Sequence, residues 1–147
     1  MNNTIQIHTD GGSRGNPGPA ASGVVIGPPI NKGYSKFLGK ATNNEAEYQA
    51  VIFALEKVRA LLGKENAKKV TLEFLMDSDL AVHQLSGQWK IEGPTIIPLF
   101  IKIWNLRMDF GPITFRHIPR EENKEADRLV NIELDKHVGG GDTLFNL

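Results

Sequence analysis

Residues 4–9 alternate polar and apolar side chains, with Ile5 and Ile7 on one side, and this period of two predicts a strand ending at Asp10. Residues 11–19 are too dense in Gly, Pro and Asn for helix or central strand, and predict a loop. Residues 22–26 and 33–38 read as short strands separated by a Gly-Pro-Pro-Ile-Asn-Lys turn, so the first three strands form an antiparallel meander. The period then changes. Ala46, Ala50, Phe53, Ala54, Val58 and Leu61 recur every three or four positions across 44–62, which predicts an amphipathic helix with Asn43 or Asn44 as N-cap and Gly63 just past its end. Val70, Leu72, Phe74 and Met76 return to the strand period over 70–76, ending at Asp77. A short helix over 78–85, a Pro-initiated helix over 94–108, a fifth strand over 113–118 and a last helix over 121–136 complete the pattern.

Strands separated by helices run parallel, whereas a meander is antiparallel. The order β-β-β-α-β-α-α-β-α therefore predicts an α/β fold: one mixed five-stranded sheet, three antiparallel strands then two parallel ones, with helices packed on both faces. Residues 1–136 read as one domain. Residues 137–147 read as a tail hinged on Gly139, Gly140 and Gly141 and ending in Leu144-Phe145-Asn146-Leu147, a candidate partner motif.

Composition narrows the classes. Without cysteine, the 147 residues can build neither a disulfide framework nor a thiolate metal site. No apolar run approaches the roughly 20 residues that span a bilayer, and the N-terminus lacks the charged start and long apolar stretch of a signal peptide. A soluble, cytoplasmic, monomeric protein is the expectation. Seventeen basic and seventeen acidic residues give a formal net charge of zero, which argues against a generic nucleic-acid binder, since phosphate neutralisation supplies most non-specific affinity. The charge is unevenly spread. Residues 1–75 carry nine basic and six acidic groups, and residues 76–147 carry eight and eleven.

The acids fall in telling places. Asp10 and Asp77 follow the first and fourth strands; if those strands are parallel neighbours, the two carboxylates emerge side by side. Such a pair repels unless a cation lies between them, and an oxygen-only donor set suits Mg²⁺ or Mn²⁺. Glu45 and Glu47 open the first long helix, where positions two apart are rotated by about 200°, so one of them at most can face the sheet edge. Asp127 lies on the last helix. Each acid taken alone is explained by a turn, a cap or a solvated face.

Four motifs, in order, change that balance: Asp10-Gly11-Gly12-Ser13-Arg14-Gly15-Asn16-Pro17-Gly18-Pro19, Thr42-Asn43-Asn44-Glu45-Ala46-Glu47, Met76-Asp77-Ser78-Asp79, and His117-Ile118-Pro119-Arg120-Glu121-Glu122-Asn123-Lys124-Glu125-Ala126-Asp127. Together they make residues 4–136 resemble ribonuclease HI, the type 1 ribonuclease H, in its compact bacterial and archaeal branch. The resemblance implies an RNase H-like fold and an endonuclease that hydrolyses the RNA strand of RNA–DNA hybrids, leaving 5′-phosphate and 3′-hydroxyl ends. It implies that Asp10, Glu47 (not Glu45), Asp77 and Asp127 bind two Mg²⁺ ions about 4 Å apart, or Mn²⁺ in their place. Asp10 would bridge both ions, with Glu47 and Asp77 on the leaving-group side and Asp127 on the nucleophile side. His117 matches the family's mobile-loop histidine, tied to proton transfer or product release. Gly11, Gly12, Asn16, Thr42, Asn43 and Asn44 match substrate contacts. Asp79 falls where many relatives carry a substrate-touching Gln; as an acid it can accept from a ribose 2′-hydroxyl but cannot donate.

One departure matters. Larger relatives grip the hybrid with a basic, Trp-rich protrusion, whereas Gly87-Gln88-Trp89-Lys90-Ile91-Glu92-Gly93 is short. Modest, salt-sensitive affinity is expected, with Trp89 available to stack on a sugar and Lys32, Lys36, Lys40, Lys68, Lys69 and Lys90 as candidate phosphate contacts. The rivals are another nuclease of the superfamily, a non-catalytic binding module that keeps the fold, and a domain cut from a reverse transcriptase. The glycine loop and Asn-Asn motif oppose the first, the four intact acids oppose the second, and the start at Met1 favours a free-standing enzyme over the third.

Overall fold

The computed structural model describes residues 3–138, and the proposed tail from 139 onward lies outside the described residues. Strands β1 (Thr4–Ser13), β2 (Gly18–Ile26), β3 (Lys32–Ala41), β4 (Thr71–Met76) and β5 (Ile113–His117) form one sheet in the order β3-β2-β1-β4-β5. β1–β2 and β2–β3 pair antiparallel, and β1–β4 and β4–β5 pair parallel. This is the mixed sheet that the alternation of periods predicts.

Helices α1 (Asn43–Ala67), α2 (Asp79–Leu85), α3 (Ile96–Leu106) and α4 (Lys124–Val138) cover it. The two faces are unequal. One face is a broad core in which Ile5, Ile7, Val24, Leu72, Phe74 and Met76 of the sheet meet Tyr48, Val51, Leu55 and Val58 of α1, completed by Ala81, Val82 and Leu85 of α2 and Ile96 and Ile103 of α3. The other is a narrow seam of Ala21, Val130 and Leu134, with Phe37 against it, beneath α4.

Several boundaries differ from the sequence expectation, each for a physical reason. Residues 11–13 and 18–21 are strand rather than loop, so Asp10 sits within β1, opposite Gly23, and not at its end. Glycine is tolerated there because helices press on the sheet at that point. The N-cap of α1 is Thr42, not Asn43 or Asn44: its hydroxyl accepts from Glu45 N–H at 3.1 Å while the Glu45 carboxylate accepts from Thr42 N–H at 2.7 Å, a capping box. Gly63, with φ 82° and ψ 166°, is non-helical and divides α1 into two helices across a kink, so the first of them ends where the sequence places its end. Ser78 caps α2, its hydroxyl accepting from the Ala81 N–H. α4 starts at Lys124, after a 3₁₀ turn over Arg120–Glu122, and continues through Val138. His137, placed in the tail by sequence, is therefore helical, stacked on Phe37 at 4.1 Å and 2.9 Å from Glu133.

Candidate active site

The site forms where β1 and β4, parallel neighbours, carry acids side by side. Thr9 pairs with Met76, so Asp10 and Asp77 are the next residues on adjacent strands. Two helices complete the arrangement, each seated on the sheet by a glycine. A Cβ built on Gly11 would lie 2.2 Å from the Ala46 carbonyl carbon and 2.4 Å from the Glu47 nitrogen. Only glycine lets α1 come this close, and that contact brings Glu47 beside Asp10. A Cβ on Gly23, the register partner of Asp10, would lie 2.4 Å from the Ala126 carbonyl oxygen. That seat sets α4 on the opposite face, with Asp127 next in sequence. The Ser22 hydroxyl donates to the Ala46 carbonyl at 3.0 Å, and the buried Asn123 amide donates to the Thr9 carbonyl at 2.9 Å, fixing both helices to the same stretch of sheet.

Asp10, Glu47 and Asp77 each offer an oxygen within 4.8 Å of the others. Asp10 is 7% and Glu47 8% exposed, and Glu47 Oε1 is buried without a hydrogen-bond partner. Burial pushes the Asp10 carboxyl up to about 8, helped by the charges of Asp77 and Asp127 and a side-chain contact with Asp127, against a stabilising Gly11 N–H. Burial likewise drives Glu47 well above the ordinary carboxylate range, with Asp10 and Asp77 adding to it. Asp127 is exposed and joins the group through Asp10. Three acids driven together, two out of water, with an orphaned oxygen among them, are a poor structural device and a fitting donor set for a hard divalent cation. Asp77 also lies 3.8 Å from the exposed Arg120.

The other expected residues divide. His117 ends β5 and pairs with Met76, which places it exposed at the rim beside Asp77. Asn16, Asn43 and Thr42 lie together at the N-terminus of α1: Asn43 Oδ1 accepts from the Ser13 N–H at 2.9 Å and its hydroxyl at 3.1 Å, and Asn16 Oδ1 accepts from the Asn43 N–H at 3.0 Å. The Asn16 and Asn43 side-chain oxygens are thus committed internally, while their amide NH₂ groups have no partner among the described residues. Asn44 Oδ1 is buried without a partner. Gly11 is buried under α1, so its lack of a side chain serves helix packing, and Gly12 would meet only Val130 at 3.6 Å. Asp79 is paired within the chain to His83 at 3.1 Å. Sequence reasoning missed Gly23, Asn123 and Ser13. Asn123 alone left a signal, as a capping residue type just before Lys124.

A mixed sheet ordered β3-β2-β1-β4-β5, with acids on adjacent central strands and on helices from both faces, defines the ribonuclease H fold. The family model described as Reverse transcriptase-like matches residues 8–132, and the chain belongs to that family. It is 38% identical over 135 residues to the Ribonuclease HI of Halobacterium salinarum, an alignment that covers 89% of this chain and 64% of that protein. It shows the same identity over the same length to the Bifunctional protein Rv2228c of Mycobacterium tuberculosis, of which 35% is covered. The chain thus spans about a third of the mycobacterial relative. Among solved structures, LC11-RNase H1 in complex with an RNA/DNA hybrid is 43% identical with a TM-score of 0.86, over 92% of this chain and 99% of that one. RNase H1 from Halobacterium salinarum is 36% identical with a TM-score of 0.80, over 90% and 98%. No helix among the described residues is long and apolar enough to cross a membrane.

Proposed function

We propose that this chain is a ribonuclease H: an endonuclease that hydrolyses the RNA strand of RNA–DNA hybrids at a site for two divalent cations, Mg²⁺ foremost, leaving 5′-phosphate and 3′-hydroxyl ends. The observation that carries the reading is the convergence of Asp10, Glu47 and Asp77 oxygens within 4.8 Å, two of the three residues being buried. The likeness to a structure titled as a complex with an RNA/DNA hybrid supports the substrate.

Bound cations supply charge compensation at the scissile phosphate and lower the pKa of the attacking water. Everything else belongs to the chain. Asp10, central to the group, holds the cations together with Glu47 and Asp77. Asp127, the exposed member, faces the solvent from which the water comes. As the water oxygen bonds to phosphorus, the bond to the 3′-oxygen breaks and that oxygen takes up a proton; His117, at the rim next to Asp77, is the residue for that proton transfer or for product release. Asn16, Asn43 and Asn44 present amide groups able to read 2′-hydroxyls and minor-groove base edges. Gly12 gives backbone access, and Thr42 marks the phosphate-binding end of α1. Asp79 stays in this set through its exposed carboxylate, one oxygen of which lies 3.1 Å from His83. With two divalent ions, a chain of formal net charge +0 carries about +4, which reconciles a neutral sequence with a polyanionic substrate. A cytoplasmic location is part of the same proposal.

The test is cleavage of an RNA-labelled RNA–DNA hybrid with Mg²⁺. Cutting should be confined to the RNA strand and stop with chelator. Equal cutting of duplex DNA contradicts the substrate assignment.

A further inference from the structure

The segment between β1 and β2 touches both helices of the site. On one side the Ser13 N–H and hydroxyl donate to Asn43 Oδ1, and the Asn43 N–H donates to Asn16 Oδ1, which ties the segment to the start of α1. On the other side Arg14 reaches α4. Its Nη2 donates to Asp135 Oδ1 at 2.6 Å and to Asn131 Oδ1 at 3.5 Å. Asn131 Nδ2 donates in turn to the Asp127 carbonyl at 3.1 Å. Asp127, Asn131 and Asp135 are spaced by four, so they share one face of the helix. Arg14 therefore grips the face of α4 that carries a site carboxylate.

The anchor of this grip is itself fixed. The Arg14 N–H donates to the Pro19 carbonyl at 2.8 Å. A Cβ built on Gly18 would lie 2.2 Å from the Arg14 carbonyl oxygen, so only glycine lets the two ends of the turn close on each other. Stability is not what the grip supplies, because an ion pair whose side chains are 37% and 56% exposed adds little to folding. Orientation is another matter. α4 stands on Ala21, Val130 and Leu134, with Phe37 beside them. A seam so narrow opposes lifting of the helix better than rolling about its axis. Rolling swings Asp127 away from Asp10, with which it makes a side-chain contact. A tether on Asp127's own face, anchored outside the helix, opposes that roll.

We propose that Arg14, through Asp135 and Asn131, locks the rotation of α4 and so positions Asp127 beside Asp10 to hold a divalent cation. Arg14 is then a positioning residue and not a phosphate contact, although it is a basic side chain two positions from Asn16. Its guanidinium is turned to α4 and engaged there. The inference rests on the metal-dependent nuclease reading of the carboxylate site. It also joins substrate binding to the cation, since the turn that presents Asn16 to the hybrid is the turn that steadies Asp127.

The experiment measures kcat and KM on an RNA–DNA hybrid at saturating Mg²⁺, the affinity for Mn²⁺ without hybrid from the electron paramagnetic resonance of the unbound ion, and the urea midpoint. Arg14→Ala should lower kcat and weaken Mn²⁺ binding several-fold, short of the roughly 10–100-fold lost with a partner that touches a metal ligand directly. KM and the urea midpoint should change little. Asp135→Ala should do the same, and the double variant should be no worse than either single one. Arg14→Lys, which keeps the charge, should recover most of the loss. In the Asp127→Asn background Arg14→Ala should add nothing. A raised KM with unchanged kcat in Arg14→Ala, beside a neutral Asp135→Ala, overturns the positioning role and makes Arg14 a phosphate contact. An undiminished Arg14→Ala effect in the Asp127→Asn background overturns the route through Asp127. Unaltered kcat and Mn²⁺ affinity in Arg14→Ala, in a protein that cuts hybrid, overturn the proposal and leave the nuclease reading intact. Wild-type protein that cuts no hybrid overturns that reading; Mn²⁺ binding that still depends on Arg14 through Asp127 then leaves the positioning role standing.

Discussion

The two faces of the sheet hold their helices by different means. α1 lies on a thick apolar core, and its Glu47 is 8% exposed. α4 rests on the narrow seam of Ala21, Val130 and Leu134 and is tied down mainly by polar contacts: Asn123 to Thr9 at 2.9 Å, Ser35 to Glu133 at 2.8 Å, and Arg14 to Asp135 at 2.6 Å. Its Asp127 is exposed. The site therefore has a rigid, dry wall and a lightly held, wet one. Burial stabilises in proportion to the apolar area removed from water, so the carboxylate that costs most to bury is carried by the helix with the larger apolar contact. The wet wall leaves Asp127 accessible to water and substrate.

The largest break should come at the dry wall's seat. Gly11→Ala forces a Cβ to within 2.2 Å of α1 backbone, and should cost about 3 kcal/mol or more and abolish hydrolysis, as read by urea unfolding and hybrid cleavage. Gly12→Ala, whose Cβ would meet only Val130 at 3.6 Å, should leave the urea midpoint nearly unchanged. If the two substitutions behave alike, the seating argument is wrong.

Next, neutralising the two helix acids should separate activity from stability. Glu47→Gln should reduce cleavage ~1000-fold, on the scale of losing a preorganised charge-stabilising group, while raising the stability of the metal-free protein, because it removes a carboxyl that burial already disfavours. Asp127→Asn should reduce cleavage on the order of 100-fold and leave stability nearly unchanged, since the side chain is solvated. Destabilisation by Glu47→Gln would contradict the dry-wall description.

The pH dependence follows with its sign. The folded Asp10 carboxyl titrates at about 8, far above its unfolded value, and Glu47 is raised as well. Below their unfolded values both states are protonated. As pH rises toward 8 the unfolded chain loses protons that the folded one retains, so stability falls, by up to about 1.4 kcal/mol per unit for each group. Burial lowers His8, which acts in the opposite direction below about 6.5. The clean window is therefore pH 6.5 to 8. Chelated protein should show a falling urea midpoint across it, and Asp10→Asn should flatten the slope.

The smallest effect tests the wet wall. Asn123→Ala removes the buried tether from α4 to the Thr9 carbonyl and should cost about 1–2 kcal/mol, with cleavage reduced more than the stability loss accounts for. Loss of stability alone would show that the tether does not position Asp127.

Much of this was legible in the sequence. The shift from a period of two to one of three or four gave the elements, because each half-buried strand or helix must keep one apolar side. The acids were legible from their spacing to the glycine and Asn-Asn motifs. What escaped was set by contacts between distant segments. Residues 11–13 read as loop because glycine disfavours strands, yet here glycine admits a helix, and that requirement comes from Ala46, thirty-odd positions away. Asn123 reads as an ordinary helix-start residue until its partner, Thr9, is seen 114 positions earlier. Thr42 reads in the sequence as a substrate contact, and its role as the cap that fixes α1 emerges only from the structure. No periodicity reveals that the Asp79 carboxylate lies 3.1 Å from His83, one turn on.

The central claim is that the acids that destabilise this protein are its metal site. Thermal unfolding of wild type and Asp10→Asn at pH 8, each with and without Mg²⁺, tests it most directly. Metal-free Asp10→Asn should melt above metal-free wild type by ~5 °C, the equivalent of about 2 kcal/mol in a domain of this size. Mg²⁺ should raise the wild-type midpoint and leave that of Asp10→Asn almost unmoved. A lower melting temperature for Asp10→Asn, or an equal response of both proteins to Mg²⁺, would contradict the account.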